Sequence, residues 1–152
     1  MTHTIMKKTR AELRREVGQQ LSFALYGAAG RVARLHKPLL DPLGLTFPQY
    51  LVLLELYSCT PRTVGELGLK LAMDTGTITP LLKRMQASGL VTRVRDTADE
   101  RRVLVDLSAK ALAMREEVWS ITDRIKAACQ LTNKTMDDLR HTLEALGHPA
   151  AD

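Results

Sequence analysis

A chain of 152 residues, 45% of them hydrophobic and 26% charged, has the size and composition of one globular domain and not of a disordered segment. Lys and Arg number 22 against 17 Asp and Glu, and the resulting formal charge of +5 fits a nucleic-acid partner without requiring one. No apolar run approaches the ~18 residues of a membrane span, the first ten residues lack a signal-peptide core, and Cys59 and Cys129 are too few for a disulfide scaffold or a cysteine zinc cluster. These features predict a soluble, single-domain, cytoplasmic protein.

From about Arg10 to Lys37, Leu13, Val17, Leu21, Ala24, Leu25, Ala28, Val32 and Leu35 recur at spacings of three and four, which predicts one long helix ending at Lys37-Pro38. After the punctuation Asp41-Pro42-Leu43-Gly44, Thr46 as N-cap and Pro48 in the first turn open a second helix. That helix, Gln49 to Tyr57, is almost wholly apolar and reads as the centre of the core. Thr63-Val64-Gly65-Glu66 is a capping box that starts a short third helix through Leu67 and Leu71. A turn at Met73-Asp74 leads to a fourth, placed from Gly76 or Thr77 because the missing N–H of Pro80 costs little only in a first turn, and Gly89 caps its end. Leu90–Arg95 and Val103–Leu107 read as two strands joined by the polar tip 96–101. Ser108 is expected to cap a long helix reaching roughly Gln130. A shorter one follows from Thr135, with Leu139, Leu143 and Leu146 as its apolar side and Gly147 as its stop.

This order predicts a mostly α (α+β) fold: a winged helix-turn-helix with long helices at both ends forming a dimerisation layer. In such folds the start of the second helix of the motif enters the major groove. Here that start carries Thr75, Thr77 and Thr79, small hydroxyls that reach base edges or phosphates, with Lys83 and Arg84 one turn on. The hairpin supplies Arg93, Arg95, Arg101 and Arg102. Residues 83–102 hold six basic and three acidic side chains, so most of the chain's excess charge falls on the element that the topology would press against DNA. Lys83, Arg84, Arg95 and Arg102 are the expected phosphate contacts, and Arg101 the wing-tip contact. Asp99 at the tip would repel phosphate unless it holds something; orienting Arg101 towards a minor groove is one role, capping the turn another.

The residues Thr75-Gly76-Thr77-Ile78-Thr79-Pro80-Leu81-Leu82-Lys83-Arg84, Gly89-Leu90-Val91 and Asp96-x-x-Asp99-Glu100-Arg101 resemble the recognition helix and wing of the MarR family, bacterial winged-helix repressors that bind palindromic operators as homodimers. Upstream, Leu21–Tyr26 and Lys37–Tyr50 resemble the branch that senses organic hydroperoxides, the OhrR type. The likeness runs over most of residues 20–108 and is weak in the last third. It implies one domain of this type over 1–152, with a DNA-binding lobe at about 46–108 and dimerisation helices at about 10–37 and 109–147. It also implies a double-stranded operator, a homodimer and a possible small-molecule effector as partners, and no cofactor or membrane.

The departures from that branch cluster. Ser22 stands where the branch carries its peroxide-reactive cysteine, and a hydroxyl forms no sulfenic acid. Two tyrosines that hydrogen-bond the thiol are replaced by His36 and Phe47, while Tyr26 is kept. Ser22 therefore fits either a cysteine replaced to hold the reduced state or a natural relative that has left peroxide sensing. Loss of both phenols favours the second. An effector pocket or former redox site is expected around Ser22, Tyr26, His36 and Phe47. His36 is a candidate pH or ligand sensor or simply a cleft-lining residue, and Cys59 a small buried hydrophobe.

Other classes find less support. The histidines, at 3, 36, 141 and 148, show no metal spacing, and there is neither a glycine-rich phosphate loop nor a nucleophile elbow. The Lys7, Lys8, Arg10, Arg14 and Arg15 run, which would suit a membrane-surface or protein-interaction module, is interrupted by Glu12 and Glu16.

Overall fold

The computed structural model describes residues 8–146. It contains eight helices and three strands: α1 (Arg10–Leu13), α2 (Leu21–Leu40), α3 (Phe47–Ser58), β1 (Arg62–Thr63), α4 (Val64–Lys70), α5 (Thr75–Ala87), β2 (Val91–Arg95), β3 (Val103–Leu107), α6 (Ala109–Ala113), α7 (Arg115–Ala128) and α8 (Asn133–Ala145). The strands form one antiparallel sheet in the order β1-β3-β2. This is the expected α+β winged helix-turn-helix.

The core gathers on α3. Its Val52, Leu53 and Leu56 are fully buried and meet Leu67 of α4, Leu82 and Met85 of α5, Val105 of β3 and Val118 of α7. Thr46 caps α3 through Gln49, whose amide oxygen accepts from the Thr46 N–H at 3.1 Å. Tyr50 ties α3 to α7 through a 2.8 Å hydrogen bond between its hydroxyl and that of Thr122. Burial raises the Tyr50 phenol above its ordinary pKa, against the lowering effect of that bond.

Four expected helix limits outside the helix-turn-helix are corrected. The first helix is broken: after α1 the chain turns, Val17–Gln19 forms a 3-10 turn, and α2 begins at Leu21. No residue of α1 is buried, so no packing energy holds the long helix together, and the Gln20 side chain donates to the carbonyl of Arg14 at 2.9 Å. Conversely, α2 runs through Pro38 to Leu40 and passes into the 3-10 turn Asp41–Leu43, ended by Gly44 at φ 67°. Pro38 removes only the bond to the Arg34 carbonyl, while the continuation buries Leu40 to 2% exposure. The helix from Ser108 is divided at Met114, whose N–H bonds back to both Lys110 and Ala111 while its own backbone caps α7. Finally, α8 starts at Asn133 because Thr132, paired with Thr135, is its capping residue. The stop expected at Gly147 lies outside the described residues.

The helix-turn-helix itself is tight. A Cβ on Gly68 would sit 2.8 Å from the Met73 carbonyl oxygen, and Ala72 holds the turn at φ 53°. Asp74 caps α5, accepting from the Thr77 N–H at 2.9 Å, so α5 begins at Thr75 and Pro80 falls in its second turn, not its first. At the far end Gly89, at φ 74°, closes a Schellman motif: its N–H bonds to Gln86 and that of Leu90 to Met85. This cap hands the chain directly to β2.

Candidate nucleic-acid interface

Ile78, Leu81, Leu82 and Met85 bury one face of α5. Helical spacing then puts Gly76, Pro80 and Lys83 along the middle of the outward face, with Thr79 on one flank and Thr77 and Arg84 on the other. Thr75, Thr77, Lys83 and Arg84 are exposed, whereas Thr79 is half-buried. The fold thus divides the threonines read from the sequence between two flanks of a line that begins with glycine and proline.

The wing is built by the register Val91↔Leu107, Arg93↔Val105 and Arg95↔Val103. Alternation along β2 puts Val91, Arg93 and Arg95 on one face and Thr92 and Val94 on the other. At the tip, the Asp96 N–H bonds to the Arg102 carbonyl, and the Arg102 N–H to the Asp99 carbonyl, both at 2.9 Å. Asp99 bonds both to the backbone of the turn and to the Arg101 side chain. Its Oδ1 accepts from the Arg101 backbone N–H and from Arg101 Nε, each at 3.1 Å, and its Oδ2 from Nη2 at 3.4 Å. The Arg101 side chain, followed by its backbone N–H, holds the Asp99 carboxyl below the usual range. The Arg101 side chain remains 92% exposed, held in direction yet open to solvent.

The other arginines are anchored differently. Arg95 donates to the Glu100 carbonyl at 2.8 Å. Arg102 lies 3.9 Å from Asp96 and 4.0 Å from Glu66, the partner of Thr63 in the α4 capping box. Glu66, read from the sequence only as a cap, therefore also faces the wing; its carboxyl is held low first by the Thr63 N–H and further by Arg102 and Arg62. Thr63–Gly65, Thr79, Arg93, Arg101, Arg102 and Val103 line a concavity of about 370 Å³ between the motif and the wing.

Separate from this concavity, His36 and Phe47 meet edge to face with ring centroids 4.9 Å apart, and Tyr50 completes the cluster. His36 is 7% exposed, its Nδ1 2.9 Å from the Val32 carbonyl, which requires that nitrogen to carry the proton. Both rings line an apolar cavity of about 550 Å³ with Leu25, Ala28 and Val32 of α2 and with Leu139 and Leu143 of α8. Ser22 and Tyr26 are not brought to it within this chain: Ser22 is exposed on the first turn of α2, and Tyr26 is 81% exposed beside Phe23, Arg31 and Arg34. Cys59, expected to be buried, is exposed, because it leaves α3 in extended conformation; Cys129 is half-buried at the end of α7.

A tight helix-turn-helix followed by a basic hairpin defines a winged-helix domain of the regulator type. The chain matches the SarA/Rot family of transcriptional regulators over residues 34–118. It is 39% identical over 127 residues to an organic hydroperoxide resistance transcriptional regulator of Bacillus subtilis, covering 84% of this chain and 86% of that one. It is 38% identical to the regulator TtmR of Methylorubrum extorquens, covering 94% and 72% respectively. Among solved structures, reduced AbfR bound to DNA superposes with a TM-score of 0.70 at 30% identity, over 90% of this chain and 97% of that one. The protein belongs to the MarR/SarA family of winged-helix transcriptional regulators and is similar to those of the OhrR type. Among the described residues no helix is long and apolar enough to cross a membrane.

Proposed function

We propose that this regulator is a cytoplasmic homodimeric repressor that binds a pseudo-palindromic operator and acts by binding, not catalysis. The observation that carries the reading is the outward face of α5 beside a wing whose exposed arginine is aimed by Asp99. Thr75 and Thr77 set register and base choice, Lys83, Arg84, Arg95 and Arg102 supply phosphate affinity, and Arg101 enters the minor groove. Dimerisation is supported by apolar side chains that this chain leaves uncovered: Leu21 and Leu35 on α2, and Leu139, Leu143 and Leu146 at the C-terminal end, where α8 buries no residue. The segments at about 10–37 and 109–147 form that layer. Binding to a duplex that weakens steeply with salt, with no binding to anionic vesicles, would support this reading over an interaction or membrane-surface module; the reverse pattern would reject it.

The effector in this reading is a small, mainly apolar molecule in the His36–Phe47 cavity, which shifts the spacing of the two recognition helices by binding one arrangement better than the other. Peroxide is the second reading, favoured by the Bacillus relative's name and by the likeness of residues 21–26 and 37–50 to the hydroperoxide-sensing branch. Comparing operator binding by the protein and by Ser22→Cys, with and without an organic hydroperoxide, separates them. Release only in the cysteine form indicates a sensor whose switch has been removed. No release in either indicates that, with histidine and phenylalanine in place of the phenols, the site has left peroxide chemistry.

A further inference from the structure

We infer that the concavity between α5 and the wing is a seat for a backbone phosphate of the bound duplex, with Arg93 as its charged donor and Thr79 as its neutral one. The inference rests on the DNA-binding reading above and assigns roles to two side chains within it. A helix in the major groove and a hairpin in the adjacent minor groove necessarily straddle the one sugar–phosphate strand that divides those grooves. The concavity lies at that place, with Thr79 on its α5 side and Arg93, Arg101 and Arg102 on its wing side.

Of these three guanidiniums, Arg101 is bonded to Asp99, and Arg102 lies near Asp96 and Glu66. Arg93 makes no ion pair among the described residues. Its Nη1 approaches only the neutral Gln86 amide oxygen, at 3.5 Å, and its Nε is buried with no hydrogen-bond partner. A buried donor without an acceptor is costly, and an anionic acceptor at this place would relieve that cost. The register explains the placement: opposite the fully buried Val105, Arg93 projects from the inner face of the wing sheet, where it is half-buried. Thr79 differs from Thr75 and Thr77 in the same sense, since it is half-buried at this concavity while they are exposed. An anionic oxygen seated there would accept from both.

The test measures binding of the full chain to a mixed-sequence duplex of ~25 base pairs across a salt series, so that only sequence-independent interactions matter. Arg93→Gln is expected to weaken binding and to flatten the slope of log K against log salt by about 0.9 for each phosphate no longer neutralised, while Arg93→Lys keeps most of the slope. Thr79→Val is expected to lose several-fold in affinity at unchanged slope; a threonine that only read bases would leave binding to this duplex unaltered. A folded Arg93→Gln with the parent's slope and affinity overturns the seat and leaves DNA binding standing. Should Arg93→Gln fail to fold, unchanged binding by Thr79→Val overturns it instead. Absence of duplex binding by the parent protein is the distinct result that rejects the DNA-binding reading itself.

Discussion

Gly76→Ala should push stability and DNA affinity in opposite directions. Gly76 is the second residue of α5, and a Cβ built there would meet only the Asp74 carboxylate oxygen at 3.5 Å, an ordinary contact. Its backbone is not in the left-handed region, so alanine fits without strain. Replacing glycine by alanine inside an exposed helix stabilises by roughly 0.5–1 kcal/mol, and the lower figure applies so near the helix start. For a chain of this size that raises Tm by ~1–2 °C. The folded monomer therefore gives no reason for a glycine here. The reason lies outside: Gly76 heads the line Gly76, Pro80, Lys83 on the face that the motif presents to the groove, and an added methyl in a close-packed contact costs on the order of 1–3 kcal/mol. Operator affinity should fall by about tenfold or more, as measured by fluorescence anisotropy at fixed salt, alongside the higher Tm. A variant that is more stable and binds as tightly as the parent would mean that this face of α5 does not approach DNA closely.

Three further outcomes are expected. Gly68→Ala should destabilise by roughly 1–3 kcal/mol in urea unfolding, because its Cβ would lie 2.8 Å from the Met73 carbonyl oxygen and the turn cannot yield without shifting Asp74 and α5; an unchanged midpoint would mean that this turn is slack. Arg101→Ala should weaken operator binding by about 1–3 kcal/mol without lowering Tm, since the side chain is 92% exposed; equal affinity would remove the wing tip from the interface. The Glu66 carboxyl is held below its ordinary value near 4.5 chiefly by the Thr63 N–H, so its contribution to stability is present above that value and is lost as pH falls through the lowered one. The stability gap between the parent and Glu66→Gln should accordingly narrow on acidification below about pH 4.5, and a gap independent of pH would contradict this.

The winged helix-turn-helix was legible because its signals are local. Thr46 with Pro48 and Thr63 with Glu66 mark helix starts by hydrogen bonds that span three residues, and Gly89 marks an end by its left-handed backbone. β1 was not legible: two residues have no periodicity, and Arg62 and Thr63 are a strand only because Val105 and Leu104 lie opposite. The breaks at Gln20 and Met114 and the passage through Pro38 depend on whether tertiary packing rewards a continuous helix, which a run of apolar residues does not state. In the site, the basic set could be counted from the sequence, but not which arginine has a partner. Arg93 and Arg95 are two residues apart on one strand face, yet one guanidinium bonds to the Glu100 carbonyl and the other buries an unpaired Nε, a difference made by the bend of the tip and by Gln86. Likewise Tyr26 and His36 share α2, but only the end of that helix nearer α3 brings an aromatic ring against Phe47.

The most direct measurement is selection of duplexes from a random pool by the purified protein, followed by sequencing of those retained at moderate salt. Two recognition helices related by a two-fold axis should enrich an inverted repeat with half-site centres about 10–10.5 base pairs apart, bound by two chains. Recovery of no preferred sequence, or of a single asymmetric site bound by one chain, would contradict the homodimeric operator-binding regulator described above.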